Sequence, residues 1–144
     1  MPDIHIASAT AANLDAIYGF VCALEEQVFD KELLRGYYEH CLSLPHHHYL
    51  VAFVQGVAVG YISCHGQVLL HHCGIVYEIQ ELYVQEQHRG MGIGARLVRA
   101  VEDILAAKGY ASLEVCSGTR RTDAHRFYQR MGFRHTSFKF VKEP

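Results

Sequence analysis

The sequence has no lysine- or arginine-rich tract and no face crowded with cations: 13 Lys and Arg stand against 15 Asp and Glu, a formal charge of −2 with histidine neutral. That balance offers nothing with which to hold nucleic acid or an anionic membrane surface, and it points to small-molecule partners. No apolar run approaches the roughly 18 residues that a membrane-spanning helix needs. There is no CxxC pair, and the five cysteines, Cys22, Cys41, Cys64, Cys73 and Cys116, are odd in number. They do not read as a disulfide framework and are expected to pack in the core. Together with a start, Met1-Pro2-Asp3-Ile4-His5, that lacks a basic and then apolar signal region, they predict a reducing, cytoplasmic location. Repeats, low-complexity segments and linkers are also missing. The 144 residues, 50% of them hydrophobic, predict a single domain over 1–144 with one core and one site.

What is present alternates between two periods. Residues 4–9 alternate weakly as a first strand, and Leu14, Ile17, Tyr18, Val21 and Leu24 recur at helical spacing behind a Thr10 cap. Asp30 is placed to cap a second helix carrying Leu33, Leu34, Tyr37, Tyr38 and Cys41 on one side, stopped by Pro45. Residues 49–54 and 57–65 are β-rich runs joined by Gln55-Gly56, an antiparallel hairpin. A looser segment, 66–74, precedes a third run, 75–84. After a glycine-rich turn, Leu97, Val101, Ile104 and Leu105 form one stripe of a helix that opens at about Ala95 and ends at Gly109. Residues 111–116 read as a short parallel strand, 122–131 as a last helix, and Phe133, Phe138 and Phe140 mark a terminal strand. As a sheet edge, that aromatic strand can pair or swap across a homodimer. The pattern is α/β of the α+β kind: a mixed, mainly antiparallel central sheet flanked by about four helices.

The chain is organised around the stretch Leu82-Tyr83-Val84-Gln85-Glu86-Gln87-His88-Arg89-Gly90-Met91-Gly92-Ile93-Gly94-Ala95: strand, polar link, glycine turn, helix start. Gly90, Gly92 and Gly94 allow a tight turn and close ligand approach, and a helix start presents unpaired N–H groups at the positive end of its dipole, a place for phosphate. A P-loop is excluded because no Gly-Lys-Ser/Thr follows. Gly90-x-Gly92-x-x-Ala95 formally satisfies a dinucleotide fingerprint, with Glu114 near the ribose-binding position. Only one βαβ unit exists, however, and no length is left for a substrate domain.

Arg89-x-x-Gly92-x-Gly94, entered from Leu82-Tyr83-Val84 and followed by Leu97, resembles the acetyl-CoA pyrophosphate motif of the GNAT N-acetyltransferases. Ala124-His125-Arg126-Phe127-Tyr128-Gln129-Arg130-Met131-Gly132-Phe133 resembles the second motif of that superfamily. One departure is Arg121, three residues before Ala124, where many members carry Asn at a pantetheine or substrate contact. More narrowly, Phe29-Asp30, His71-His72, Glu78-Ile79-Gln80-Glu81-Leu82 and Asp123-Ala124-His125-Arg126-Phe127-Tyr128 resemble the bacterial aminoalkylphosphonate N-acetyltransferases. The resemblance implies a GNAT fold and acetyl transfer from acetyl-CoA to the primary amine of a small phosphonate, with a divalent-metal dependence associated with that group. It implies a cofactor site built from Leu82, Tyr83, Val84, Arg89, Gly90, Met91, Gly92, Ile93, Gly94, Ala95, Arg121 and Tyr128. Another small amine, a peptide amine, or a non-catalytic CoA sensor remain alternatives.

A primary alkylamine is mostly protonated at neutral pH and must lose a proton before attacking a thioester, so a base is required. Glu78 is the first candidate and Glu81 the reserve; three apart on a regular strand, they face opposite sides unless a bulge intervenes. The resemblance places an oxyanion-stabilising N–H near Leu82 and the acid that protonates the departing thiolate at Tyr128, whose phenol is protonated at neutral pH. Arg89 reads as a turn residue near the pyrophosphate. His46-His47-His48 reads as a surface loop, since three consecutive side chains rarely converge on one ion. His65, His71 and His72 flank the loop between two central strands and can face the acceptor, where a metal site would join imidazoles to a carboxylate. No metal ligands are assigned. His125 fits a capping or surface role, and Arg120, Arg121 and Lys139 are generic cations that near a pocket mouth would suit a phosphonate.

Overall fold

The computed structural model describes residues 3–144, and the fold is built on one five-stranded sheet in the order β1-β2-β3-β4-β5. The strands are β1 (Ile4–Ser8), β2 (His47–Val54), β3 (Val57–Leu69), β4 (Gly74–Val84) and β5 (Ser112–Val115), and the helices α1 (Leu14–Glu25), α2 (Lys31–Leu42), α3 (Ile93–Lys108) and α4 (Thr122–Arg130). The first four strands pair antiparallel and β4 pairs β5 in parallel, the mixed sheet that the sequence pattern predicts.

Local chemistry explains most boundaries. Thr10 caps a short 3₁₀ turn that leads into α1, and the Asp30 carboxylate accepts the Leu33 N–H at 2.9 Å at the start of α2. The hairpin turn places Gln55 at φ 51° and Gly56 at φ 77°, the paired left-handed geometry that matches strand twist. Helix α3 begins at Ile93, two residues before the expected Ala95, because Gly92 in left-handed geometry (φ 78°, ψ 12°) is its N-cap.

Two cores sandwich the sheet. Ile93, Leu97, Val98, Val101 and Leu105 of α3 are essentially inaccessible against β2, β3 and β4. Each such side chain contributes about 1.5–3 kcal/mol of burial, so α3 and its N-terminus are rigidly placed. On the other face, Leu14, Ile17 and Phe20 of α1 and Tyr38 of α2 cover Val51 and Tyr61.

Three expectations are corrected. Residues 66–69 are not loose: β3 continues to Leu69, with Gly66 opposite Tyr77 and Leu69 opposite Gly74. Gly66 is a strand position because a Cβ there would sit 2.6 Å from the Tyr77 ring, so the glycine makes room for an aromatic crossing it. In α2, Leu33 and Tyr37 are 62% and 70% exposed while Leu34, Tyr38 and Cys41 turn inward. Both i, i+4 stripes are apolar, so periodicity alone could not choose between them. The terminal strand is absent: residues 133–144 form no helix or strand, and Phe138 and Phe140 are 83% and 92% exposed. An extended aromatic run becomes a strand only when another backbone supplies its hydrogen bonds, and β5 is the last paired strand.

Candidate active site

Strands β4 and β5 run together from Val76 opposite Ser112 to Ile79 opposite Val115, and there their pairing stops. Strand β4 continues to Val84, held by β3 alone. Glu81 N–H and Gln85 N–H point toward β3, to Ser63 Oγ at 3.1 Å and the Val59 carbonyl at 2.8 Å. Because N–H direction alternates along a strand, Leu82 and Val84 present their backbone groups to the open edge. Arg89 folds back onto that edge, donating Nε–H to the Val84 carbonyl at 2.9 Å while its guanidinium lies 5.5 Å from the centre of the Tyr83 ring.

The open edge leads into the glycine turn. Gly90 and Gly92 both have positive φ (82° and 78°), and α3 starts with no side-chain cap, so the N–H groups of Ile93, Gly94 and Ala95 face outward at the positive end of a 16-residue helix. Gly94 has ordinary helical geometry; its place above Phe127, 3.5 Å from where a Cβ would be, is a packing role rather than the turn role expected of it. Ile93 and Met91 send their side chains toward the core, so here the backbone is the functional part.

A cleft of about 320 Å³ opens where β4 and β5 part, lined by Glu25, Glu81, Leu82, Cys116, Arg121 and Tyr128 among others. Tyr128 is held by edge-on packing against Phe127 and Phe133, and burial pushes its phenol above the ordinary range against the lowering effect of Arg121. It therefore stays protonated through neutral pH. Arg121 donates to the Leu24 carbonyl at 3.2 Å, tying the start of α4 to the end of α1 across the cleft.

The two carboxylates lie on one face of β4 because the strand is bulged. Ser63 pairs with Glu81 and Cys64 with Ile79, which leaves Gln80 as an extra residue. Glu81 is clamped: Tyr61 O–H donates to its Oε1 at 2.9 Å, and fully buried Ser63 also donates to that oxygen. Burial first, and the Glu81 charge second, push the Tyr61 phenol far upward, so it remains a donor. Glu78 sits between His65 on β3 and Glu114 on β5 and does not line the cleft, but it neighbours Cys116, which does. Desolvation, then hydrogen bonding to Glu78, pushes the Cys116 thiol up.

The histidines do not meet as expected. His71 and His72 are exposed on the turn beyond β3, six and seven residues from His65, about 20 Å along a strand. His47 and His48 belong to β2 rather than to a surface loop; His46 and His48 pack on Tyr77, while His47 stacks on His65 on the opposite face. His65 is pushed down to about 4, by burial first and His47 second. His125 is tied to the Gly118 carbonyl at 2.7 Å, a local role. Among the described residues, no trio of metal-ligating side chains lies in the cleft, and one oxygen of Glu81, Oε1, is already taken by two hydroxyls. The cleft does not fit a metal held by protein ligands, and no step is routed through one. All five cysteines are free; Cys64 is buried in the core, but Cys73 and Cys116 are exposed and Cys22 and Cys41 only half-buried, contrary to the expectation that they pack inside.

Sequence reasoning missed Glu25, Tyr61 and Ser63. Tyr61 and Ser63, two apart on a strand, share a face, but nothing local announces that a bulge brings Glu81 opposite them. No helix among the described residues is long and apolar enough to cross a membrane.

The sheet splits beside a glycine-capped helix and a cleft that holds a tyrosine, and the sequence profile of the Acetyltransferase (GNAT) family matches residues 14–133. The chain belongs to that family and is an acetyl-CoA-dependent N-acetyltransferase. It is 36% identical to the aminoalkylphosphonate N-acetyltransferase of Salmonella typhimurium over 99% of this chain and 92% of that protein. It is 29% identical to the IAA acetyltransferase of Azospirillum brasilense, covering 92% of this chain and 86% of that one. Among solved structures, the aminoglycoside N-acetyltransferase AAC(6')-Iy in complex with CoA superposes with a TM-score of 0.89 at 18% identity, covering 100% of this chain and 96% of the other, a likeness of fold.

Proposed function

We propose that this enzyme acetylates the primary amine of a small aminoalkylphosphonate by direct attack on acetyl-CoA within a ternary complex. The observation that carries the reading is the mixed charge of the cleft, in which Glu81 and Glu25 stand with Arg121 in one 320 Å³ space. A zwitterion with an ammonium at one end and a phosphonate at the other finds a partner for each, and the Arg fork suits phosphonate oxygens. The similarity to the aminoalkylphosphonate N-acetyltransferase of Salmonella typhimurium supports the same acceptor class.

In this reading the pyrophosphate rests on the N–H groups of Ile93, Gly94 and Ala95, beside Arg89, and the pantetheine arm extends along the free edge of β4. The thioester oxygen takes the Leu82 N–H, a fixed dipole placed where negative charge develops. Glu81, fixed in place by two hydroxyl donors on Oε1, faces the ammonium as its electrostatic partner. Glu78, on the same face of β4 and beside the Cys116 thiol that lines the cleft, takes the proton by way of water. Nitrogen attack forms the C–N bond, collapse of the tetrahedral intermediate breaks C–S, and Tyr128 gives its proton to the departing thiolate.

The test is thiol release measured with aminomethylphosphonate and 2-aminoethylphosphonate against glycine, β-alanine, a polyamine, an aminoglycoside and a peptide. A charge-assisted contact of about 1.5–3 kcal/mol gives the phosphonates roughly ten- to hundredfold higher kcat/KM than their carboxylate counterparts. Preference for the peptide or the aminoglycoside would overturn the acceptor assignment. Parallel double-reciprocal lines would overturn direct attack.

A further inference from the structure

We propose that Cys41, His47 and His65 form a binding site for a zinc-class divalent cation, outside the cleft, that clips the end of α2 to the β2–β3 hairpin. One ligand atom from each residue lies within 4.8 Å of the others. The three come from separate rigid elements: Cys41 from the last turn of α2, and His47 and His65 from facing positions on β2 and β3. The two imidazoles stack with centroids 3.6 Å apart and planes 16° from parallel, which sets two ring nitrogens side by side.

The surroundings are those of a ligand set rather than of a packed core. His47 Nδ1 is buried and has no hydrogen-bond partner among the described residues, a polar atom left uncompensated. The Tyr49 hydroxyl stands 2.7 Å from His65 Nε2, the kind of neighbouring contact that fixes the orientation of a ligating ring. All three residues are half-buried, dry enough to retain an ion and open enough to admit it.

Tetrahedral zinc with bonds of about 2.0–2.1 Å to nitrogen and 2.3 Å to sulfur needs ligand atoms roughly 3.3–3.6 Å apart. With all three atoms within 4.8 Å of one another, the cluster has to close by no more than about 1.5 Å in any pair, which side-chain rotation supplies. One thiolate and two neutral imidazoles leave a net charge of +1 and a fourth position for water. Nitrogen and sulfur donors select zinc, cobalt or copper over magnesium or calcium. Only His65 approaches the catalytic region, as the cross-strand partner of Glu78, and none of the three lines the cleft. The clip is thus independent of how the acetyl transfer runs.

Cobalt(II), titrated into the reduced full-length protein, reports this site without reference to turnover. The expected result is one equivalent bound, with a thiolate-to-cobalt charge-transfer band in the near ultraviolet and visible bands of tetrahedral intensity. Cys41→Ser abolishes the charge-transfer band and His47→Gln weakens binding at least about tenfold. Cys73→Ser, which alters the exposed cysteine beside His71 and His72, leaves both signals intact. Zinc a hundredfold above its dissociation constant raises the melting midpoint by roughly 5–10 °C in the native protein and not in Cys41→Ser. A reduced protein without the charge-transfer band, or a band that survives Cys41→Ser or disappears with Cys73→Ser, would overturn the site.

Discussion

Replacing Gly92 by alanine separates what the glycine turn does for the fold from what it does for the ligand. Gly92 caps α3 at φ 78°, and a Cβ built there meets nothing within 4 Å, so the substitution creates backbone strain but no clash. An L-residue in left-handed geometry costs about 1–2 kcal/mol, and the stiffer unfolded chain returns about 0.4–1 kcal/mol. The net loss of about 1 kcal/mol lowers the melting midpoint by roughly 2–4 °C at this chain length. The new methyl is carried by the residue directly before the uncapped N–H groups of α3, and so borders a phosphate seated on them. Displacing one backbone hydrogen bond to a phosphate, worth about 1.5–3 kcal/mol, raises the acetyl-CoA dissociation constant about ten- to hundredfold, with turnover at saturating cofactor little changed. Gly56→Ala is the control: φ is 77°, the space is equally open, and the residue sits in the β2–β3 hairpin away from α3. It should lose similar stability and no affinity. Calorimetric titration with acetyl-CoA and thermal melts of both variants decide the matter, and equal affinity in Gly92→Ala and the native protein would refute the pyrophosphate assignment.

Four further outcomes are expected. Tyr128→Phe lowers kcat by roughly 10²–10⁴ with acetyl-CoA affinity retained, and a single-turnover rate equal to the native one would remove the acid role. Glu78→Gln lowers kcat with KM for the amine little changed, whereas Glu81→Gln chiefly raises KM for the amine; the reverse pattern would exchange their roles. Leu97→Ala, at a fully inaccessible position of α3, destabilises by about 2–5 kcal/mol in denaturant unfolding. Tyr38 donates its hydroxyl to the Thr10 carbonyl at 2.7 Å, and burial pushes its phenol up to about 12. Because the folded-state value is raised, its contribution to stability is complete below pH 10 and is lost as pH rises through about 12. Tyr38→Phe should flatten that alkaline decline, followed by tyrosinate absorbance and circular dichroism; an unchanged slope would place the alkaline sensitivity elsewhere.

Local order was legible in the sequence wherever one residue type or one period has a single physical solution. The Asp30 cap, the Gln55-Gly56 hairpin, the α3 stripe and the strand–glycine–helix passage each follow from a backbone geometry that few residues satisfy. The sequence pattern failed where two solutions are locally equal: two apolar stripes on α2, a glycine in β3 that reads as a break, and an aromatic tail that needs a partner strand to become one.

The division holds at the site as well. Chain order alone determined that a glycine turn enters a helix after a β-strand, because left-handed φ values and free N–H groups are properties of a few consecutive residues. Only the tertiary structure decided which carboxylates share a face, since the Gln80 bulge exists through pairing between β3 and β4. It also brought Glu25, Glu81 and Arg121 to one cleft and Cys41, His47 and His65 to another cluster, from segments that no local period connects. Side-chain chemistry is written residue by residue, but convergence depends on how the strands register and where their pairing ends.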